Sequence, residues 1–291
     1  MLEIPLLYKD RRLEGETTLR QCQLVQLHLL YVFDAICKEY NLTYFLGGGT
    51  LLGAMRHGGF IPWDDDLDVG MPMKDYKKFL KIAPNVLPKD VLLQTPKTNP
   101  NTAIPFSKLR DAYSFYYEMR PDIATSDFAG IFLDVFPYEE MPNIGRSLEI
   151  FLLRAVFHCY QWKKKSLHCW KCNALIASLG VVINRFYSTL YCLIRFTIES
   201  LKVVFPPKTT FIQFDNGYRA RYETSKIYPT VTVKFEDGEF PIPNNPNAFL
   251  VAQYGNWTEV PPPEKRPRHA TIILPTLAQN LPEAMEYPLN A

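Results

Sequence analysis

Four aspartates packed into five positions, Asp64, Asp65, Asp66 and Asp68, follow closely on a Gly47-Gly48-Gly49-Thr50 turn, and this pairing constrains the fold more than any other feature. Carboxylates set so close repel one another, so a fold that gathers them in its interior needs a divalent cation to neutralise them. Asp66 and Asp68 alternate with Leu67 and Val69, and in an extended strand that alternation sends both aspartates to one face. Mg²⁺ or Mn²⁺ favours oxygen ligands and commonly bridges carboxylates to a substrate's phosphates. Glycines let backbone N–H groups approach those phosphates closely. An Asp-rich, Gly-rich stretch can also be a plain solvated turn. Here Phe60, Ile61, Pro62 and Trp63 precede the cluster and Val69 and Met71 follow it, which argues for burial, where idle charge is costly.

With 291 residues, 47% of them hydrophobic, the chain has ample material for a core in one or two domains. A net charge of only +2 gives no global field for wrapping nucleic acid, so anion recognition must be local. The short run before the charged stretch Lys9 to Arg12 lacks a secretory pattern, and the expectation is a cytoplasmic protein. Six cysteines scattered through apparent helices do not resemble a disulfide framework, so reduced thiols are expected.

Apolar spacing predicts a helix over 17–40, a strand at 43–46, a short helix around 51–55 after the glycine turn, and the acidic strand. A helix over 74–82 should stop at Pro84, with strands following at 91–94, 106–110, 115–118 and 131–136. The pattern divides the chain into 1–147, a helical segment at 148–205, and a C-terminal segment at 206–291 that packs on the first. Arg185 and Arg195 interrupt the helical segment, leaving no uncharged run near the roughly 20 residues of a membrane span. A buried helical hairpin is expected, and the Lys163-Lys164-Lys165 run beside it suits peripheral contact with a membrane surface.

Taken together, YFLGGGTLLGAMRHGGFIPWDDDLDVGM at 44–71, MKDYKKFL at 73–80, FSKLRD at 106–111, GIFLDVFP at 130–137 and AFLVAQYGNWTEVPPPEKR at 248–266 resemble the LicD/fukutin-type phosphotransferase family, within the polymerase-β-like nucleotidyltransferase superfamily. The resemblance implies an α+β fold: a polymerase-β-like core, with a small mixed sheet flanked by helices and an inserted helical subdomain. It also implies a metal-binding pair, Asp66 and Asp68, and a third carboxylate, Asp134, as the catalytic and metal residues. Gly48, Gly49 and Thr50 would surround the donor phosphate, with Arg56, Lys108 and Arg110 as further phosphate contacts. Mg²⁺ or Mn²⁺ would be the cofactor.

The reaction so implied transfers a phosphorylated small group, phosphocholine or a polyol phosphate, from a CDP-linked donor to a sugar hydroxyl of a cell-surface glycan such as lipopolysaccharide or teichoic acid, releasing CMP. A lipid-linked acceptor would place the enzyme at the inner face of the membrane. Two alternatives stand beside it: transfer of the nucleotide itself to a sugar or small-molecule hydroxyl, and a non-catalytic glycan-binding relative.

Several neighbours are read more plainly. Asp64 and Asp65 are expected to support the metal pair, with Asp65 pointing away from it. Trp63 is expected to be a core residue rather than a stacking platform, and His57 to be a surface partner of Arg56. The run His168-Cys169-Trp170-Lys171-Cys172 has the spacing of a zinc or redox pair but lacks a second pair, so inert thiols are the better expectation. His28 is taken as structural, and His269 has no assigned role.

Overall fold

The computed structural model describes residues 10–99, 106–118, 129–168, 174–212, 221–266 and 268–277. Helix α1, Thr18–Glu39, opens with the Thr17 side chain accepting a hydrogen bond from the Arg20 N–H at 3.1 Å. It is buried on nearly all sides, including the polar Gln23 and Gln26, which marks it as a central helix rather than a surface one. Strand β1, Phe45–Leu46, leads into α2, Gly48–His57. The glycines expected to form a separate turn are therefore the first turn of this helix, where backbone N–H groups have no intrahelical partner.

Strand β2, Asp68–Pro72, is followed directly by α3, Met73–Val86. The expected stop at Pro84 is corrected here, because Pro84 lies inside the last turn. Its missing N–H costs one bond, yet Leu87 N–H still closes onto Ala83 O at 3.0 Å. The chain leaves the helix at Leu87, which is extended because Pro88 follows it.

Four more strands follow: β3 at Val91–Gln94, β4 at Ser107–Asp111, β5 at Phe115–Glu118 and β6 at Phe132–Met141. The sheet order is β1-β2-β6-β4-β3, with β2 and β6 parallel and the other pairs antiparallel, so the fold is mixed α+β. Strand β2 begins at Asp68, which leaves Asp66 in the irregular segment ahead of it instead of on the expected strand.

The chain forms two compact units, Met1–Tyr138 with Lys226–Ala291, and Glu139–Ser225. The second is built on α4, Arg146–His168, and α5, Ala174–Val204, with the short strands β7, Thr209–Ile212, and β8, Tyr222–Glu223. Met141, Leu153, Val156 and Ile198 form its buried core. Buried Glu139 pairs with Arg195 and with Lys202 at 2.8 Å, and buried Glu149 pairs with Arg221 at 3.1 Å. The hairpin is present, but the expectation that it is buried is corrected: Phe186, Leu193 and Phe196 on α5 face solvent. Among the described residues no helix is long and apolar enough to cross a membrane. Cys22, Cys37, Cys159 and Cys192 are free thiols, while Cys169 and Cys172 lie outside the described residues.

After the short helix α6, Thr224–Ile227, the first unit resumes with the hairpin β9, Val231–Phe235, and β10, Gly238–Ile242. Helix α7, Pro246–Tyr254, is capped by the Asn245 side chain, and β11, Ala270–Leu274, pairs antiparallel with β5.

Candidate active site

Strand register builds the first half of the site. Asp68 on β2 lies opposite Asp134 on β6, and Asp134 lies opposite Lys108 on β4, so the three stand in one row across the sheet on one face. Lys108 Nζ lies 2.8 Å from Asp134 Oδ1 and 3.1 Å from Oδ2, and 3.3 Å from the centre of the Phe132 ring. Its hydrogen bond runs to Oδ2, leaving buried Oδ1 without a well-directed donor. Arg110, two residues along the same strand face, donates to Gln94 Oε1 at 2.5 Å and to Gly130 O at 2.6 Å. Its guanidinium is thereby committed to protein acceptors.

The glycines fit against the carboxylates. Gly48 has φ +49, a left-handed conformation that suits glycine, and a Cβ there would run into Asp68 Oδ2. A Cβ on Gly49 would stand 2.7 Å from Asp64 Oδ2. Thr50 Oγ1 accepts from Asp68 N–H at 2.8 Å, and Gly47 N–H donates to Asp68 O at 3.0 Å, so the start of α2 is stitched to the start of β2. Thr50 therefore fixes the backbone on which Asp68 stands. From the other side, Gln23 Nε2 donates to Ile61 O and Asp64 O, at 3.3 and 3.0 Å, and Gln26 Nε2 to Asp65 O at 2.7 Å. The polar side chains of α1 are buried because they hold the acidic segment in place.

The acids are strongly perturbed. Burial pushes Asp64 up to about 8, with the neighbouring Asp66 and Asp65 charges adding to the effect. Burial raises Asp66 as well, partly offset by His269, and holds Asp68 well above the carboxylate range, with Asp66 and Asp134 contributing. Asp134 rises to about 6 through burial, opposed by Lys108. Crowded carboxylates that resist ionisation, one with an uncommitted buried oxygen, have the oxygen donor chemistry that suits a hard divalent cation. His269 joins them: its Nδ1 is 3.0 Å from Asp66 Oδ2 and 3.6 Å from Asp65 Oδ1. Among the described residues, the group whose donor atoms all lie within 4.8 Å of one another is Asp64, Asp65 and His269, and Asp66, Asp68 and Asp134 do not form such a group.

In front of the acids is a cavity of about 450 Å³ lined by Gly49, Asp64, Asp66 and Asp68 on one side and by Tyr254, Trp257 and Glu259 on the other. Lys108, Arg110 and Asp134 are not in its lining. Arg56 lines it, but its Nη1 donates to Trp257 O and Glu259 O at 3.1 and 3.2 Å, and its Nε donates to His57 Nε2 at 3.1 Å. Arg56 thus anchors the opposite wall. Trp63 is corrected from core residue to cavity wall: it is half-buried and the Arg266 guanidinium stacks 3.9 Å from its ring centre. Asp65 turns away, as expected, and accepts from the backbone N–H of His269 at 3.3 Å and of Ala270 at 2.9 Å, tying the start of β11 to the acidic segment.

His269 is the site residue that sequence reasoning left unassigned. Its position at the end of the basic run Lys265 to Arg268 was the available signal, but only the pairing of β11 with β5 shows where that run goes.

Residues 41–148 match the family model described as LicD/FKTN/FKRP, nucleotidyltransferase domain. Over 264 residues the chain is 28% identical to the lipopolysaccharide cholinephosphotransferase LicD of Haemophilus influenzae, covering 87% of this chain and 96% of that protein. Over 40 residues it is 59% identical to human ribitol 5-phosphate transferase FKRP, a segment that spans 14% of this chain and 8% of that one. An uncharacterized Rickettsia typhi protein is 52% identical over 49 residues, 17% of this chain and 16% of its own.

Proposed function

We propose that this chain is a LicD-type phosphotransferase with a polymerase-β-like core, moving phosphocholine or a polyol phosphate from a CDP-linked donor to a sugar hydroxyl of a cell-surface glycan. The observation that carries the reading is the row Asp68–Asp134–Lys108, set behind a cavity whose floor is the Gly48–Gly49 helix start and the acids. The sugar oxygen forms a new bond to the phosphorus of the transferred group, the pyrophosphate bond breaks, and CMP leaves. The hydroxyl proton passes to one of the carboxylates that line the cavity, Asp64, Asp66 or Asp68, with Asp134, raised to about 6, in the row behind them. Lys108 keeps Asp134 oriented. The N–H groups at the start of α2 face the donor phosphates. Asp66 and Asp68, with Asp134, would hold Mg²⁺ or Mn²⁺, which when bound neutralises phosphate charge and aligns the reacting oxygens.

An acceptor carried on a lipid would put this reaction at a membrane face. The family description also names a nucleotidyltransferase domain, which keeps transfer of the nucleotide itself as the second reading. Incubating the protein with labelled CDP-choline, CDP-ribitol or CDP-glycerol, glycan acceptor and Mn²⁺ separates the readings. Free CMP with a phosphodiester product supports the first, and a nucleotide-bearing glycan supports the second. Donor turnover that persists unchanged in EDTA would remove the metal from the scheme, and no turnover with any donor would favour a binding protein.

A further inference from the structure

In the second unit, α4 and α5 run antiparallel: Leu153 and Val156 share a core with Ile198, whereas farther along α4 Trp162 stacks on Tyr187, centroids 5.7 Å apart and 10° between planes. That packing uses one side of α5. The other side carries Val182, Phe186, Leu193, Phe196 and Val203, which are 58–83% exposed. Their spacing steps by three, four or seven residues, and Thr189 and Ser200 fill the gaps, so one apolar stripe, with exposed Arg185 at its edge, runs about 30 Å along the helix. Leu148 and Phe151, at the α4 end that the antiparallel packing sets beside the end of α5, are also exposed, at 48% and 64%. A contiguous apolar face of this size marks an interaction site.

Charge selects the occupant. Residues 139–225 hold twelve Lys and Arg against six Asp and Glu, a surplus of six on a chain whose net charge is +2. The basic excess is thus concentrated in the unit that bears the stripe. Arg195, Lys202 and Arg221 are engaged with Glu139 and Glu149, while Arg146, Arg154, Arg185 and Lys208 are exposed. A second copy of the same unit would bring like charges together, whereas an anionic lipid surface attracts them and takes in the apolar stripe. A span is ruled out for the described helices, so α5 would lie in the interfacial plane. We propose that the exposed face of α5 docks the protein onto an anionic lipid surface. The inference does not depend on the transferase reading, because lipid binding is measured without turnover.

The test is flotation of the full-length protein with vesicles of phosphatidylcholine containing a quarter phosphatidylglycerol, and with phosphatidylcholine alone, alongside light scattering to read the oligomeric state. Wild type should float with the anionic vesicles, and at least tenfold less with the neutral ones. Phe186→Gln/Phe196→Gln/Val203→Gln should lose at least tenfold of the anionic binding, with circular dichroism and melting unchanged because these positions are solvent-exposed. Arg154→Glu/Arg185→Glu should do the same through charge alone. Wild type that stays at the bottom of the gradient, or variants that float equally well, would overturn the proposal. So would a wild-type dimer that the triple Gln variant converts to monomer, since a second copy would then own the stripe.

Discussion

The acidic cluster should make the metal-free protein less stable as pH rises through the neutral range. A carboxylate whose folded value lies above its unfolded one binds its proton more tightly when folded, so its contribution is intact below the unfolded value and is lost up to the folded value. For Asp64, ordinary value 3.8 and folded value about 8, that window covers pH 5 to 7 entirely. There the unfolded chain has already released the proton and the folded protein still holds it. Each pH unit then costs on the order of 1 kcal/mol, or about 3 kcal/mol between pH 5 and 7. Asp134, raised to about 6, adds roughly 1 kcal/mol more between pH 5 and 6. At about 2–4 °C per kcal/mol for a chain of this order of size, Tm in EDTA should fall by about 8–16 °C between pH 5 and 7 from these two groups. Calorimetry on wild type and Asp64→Asn reads the effect, because the variant should lose the Asp64 share and also relieve part of the upward shift on Asp68. Mn²⁺ competes with the protons, so millimolar Mn²⁺ should raise Tm at pH 7.5 and do little at pH 5. Equal pH slopes in wild type and Asp64→Asn, or a Tm indifferent to Mn²⁺ at pH 7.5, would refute the reasoning.

Asp68→Asn should lower the transfer rate about a thousandfold, on the scale of several kcal/mol of lost charge stabilisation. Its melting in EDTA at pH 7.5 should be equal or higher, since a repelling carboxylate is gone; single-turnover rates and calorimetry read the two sides. Gly48→Ala should cost about 1–3 kcal/mol for its left-handed backbone and should also abolish turnover, because its methyl displaces Asp68; urea unfolding gives the first and a CMP-release assay the second. Lys108→Met leaves Asp134 buried without its partner and should cost about 3–5 kcal/mol at pH 7.5. That loss should shrink at pH 5, where Asp134 takes up a proton, so urea midpoints at the two pH values check it.

Local pattern placed part of the acidic row. Asp134 stands inside Phe132–Phe136 and is buried on its strand, and Asp68 opens the strand the period-two spacing predicts, whereas Asp66 lies ahead of that strand. The strand limits at 91–94 and 115–118 were readable for the same reason. What could not be read depends on contacts distant in sequence. Nothing in the local spacing of α1 singles out Gln23 and Gln26, and only tertiary packing shows them gripping the backbone of Asp64 and Asp65. Trp63 reads as core from its apolar neighbours, but Arg266, some two hundred residues later, occupies its face. Pro84 reads as a stop, although in a last turn the missing donor is inexpensive.

Arg56, Asp65 and Trp63 share a consequence that none of them shows alone. Each is fastened to the stretch between Trp257 and Ala270: Arg56 to the carbonyls of Trp257 and Glu259, Asp65 to the N–H groups of His269 and Ala270, and Trp63 to the Arg266 guanidinium. These ties cross from the acidic segment to the C-terminal stretch and hold it as the far wall of the cavity. The family match ends at 148, so the glycines and acids proposed for bond making lie inside the matched segment. Tyr254, Trp257, Glu259 and His269, which shape the remaining cavity, lie outside it. A cavity assembled this way keeps its chemical floor and its opposite wall on separate stretches of chain. Substitutions in the wall can therefore alter what the cavity accommodates without moving the row Asp68–Asp134–Lys108, because that row is fixed by strand register, by Thr50 and by the Lys108–Asp134 pair, none of which belongs to the wall.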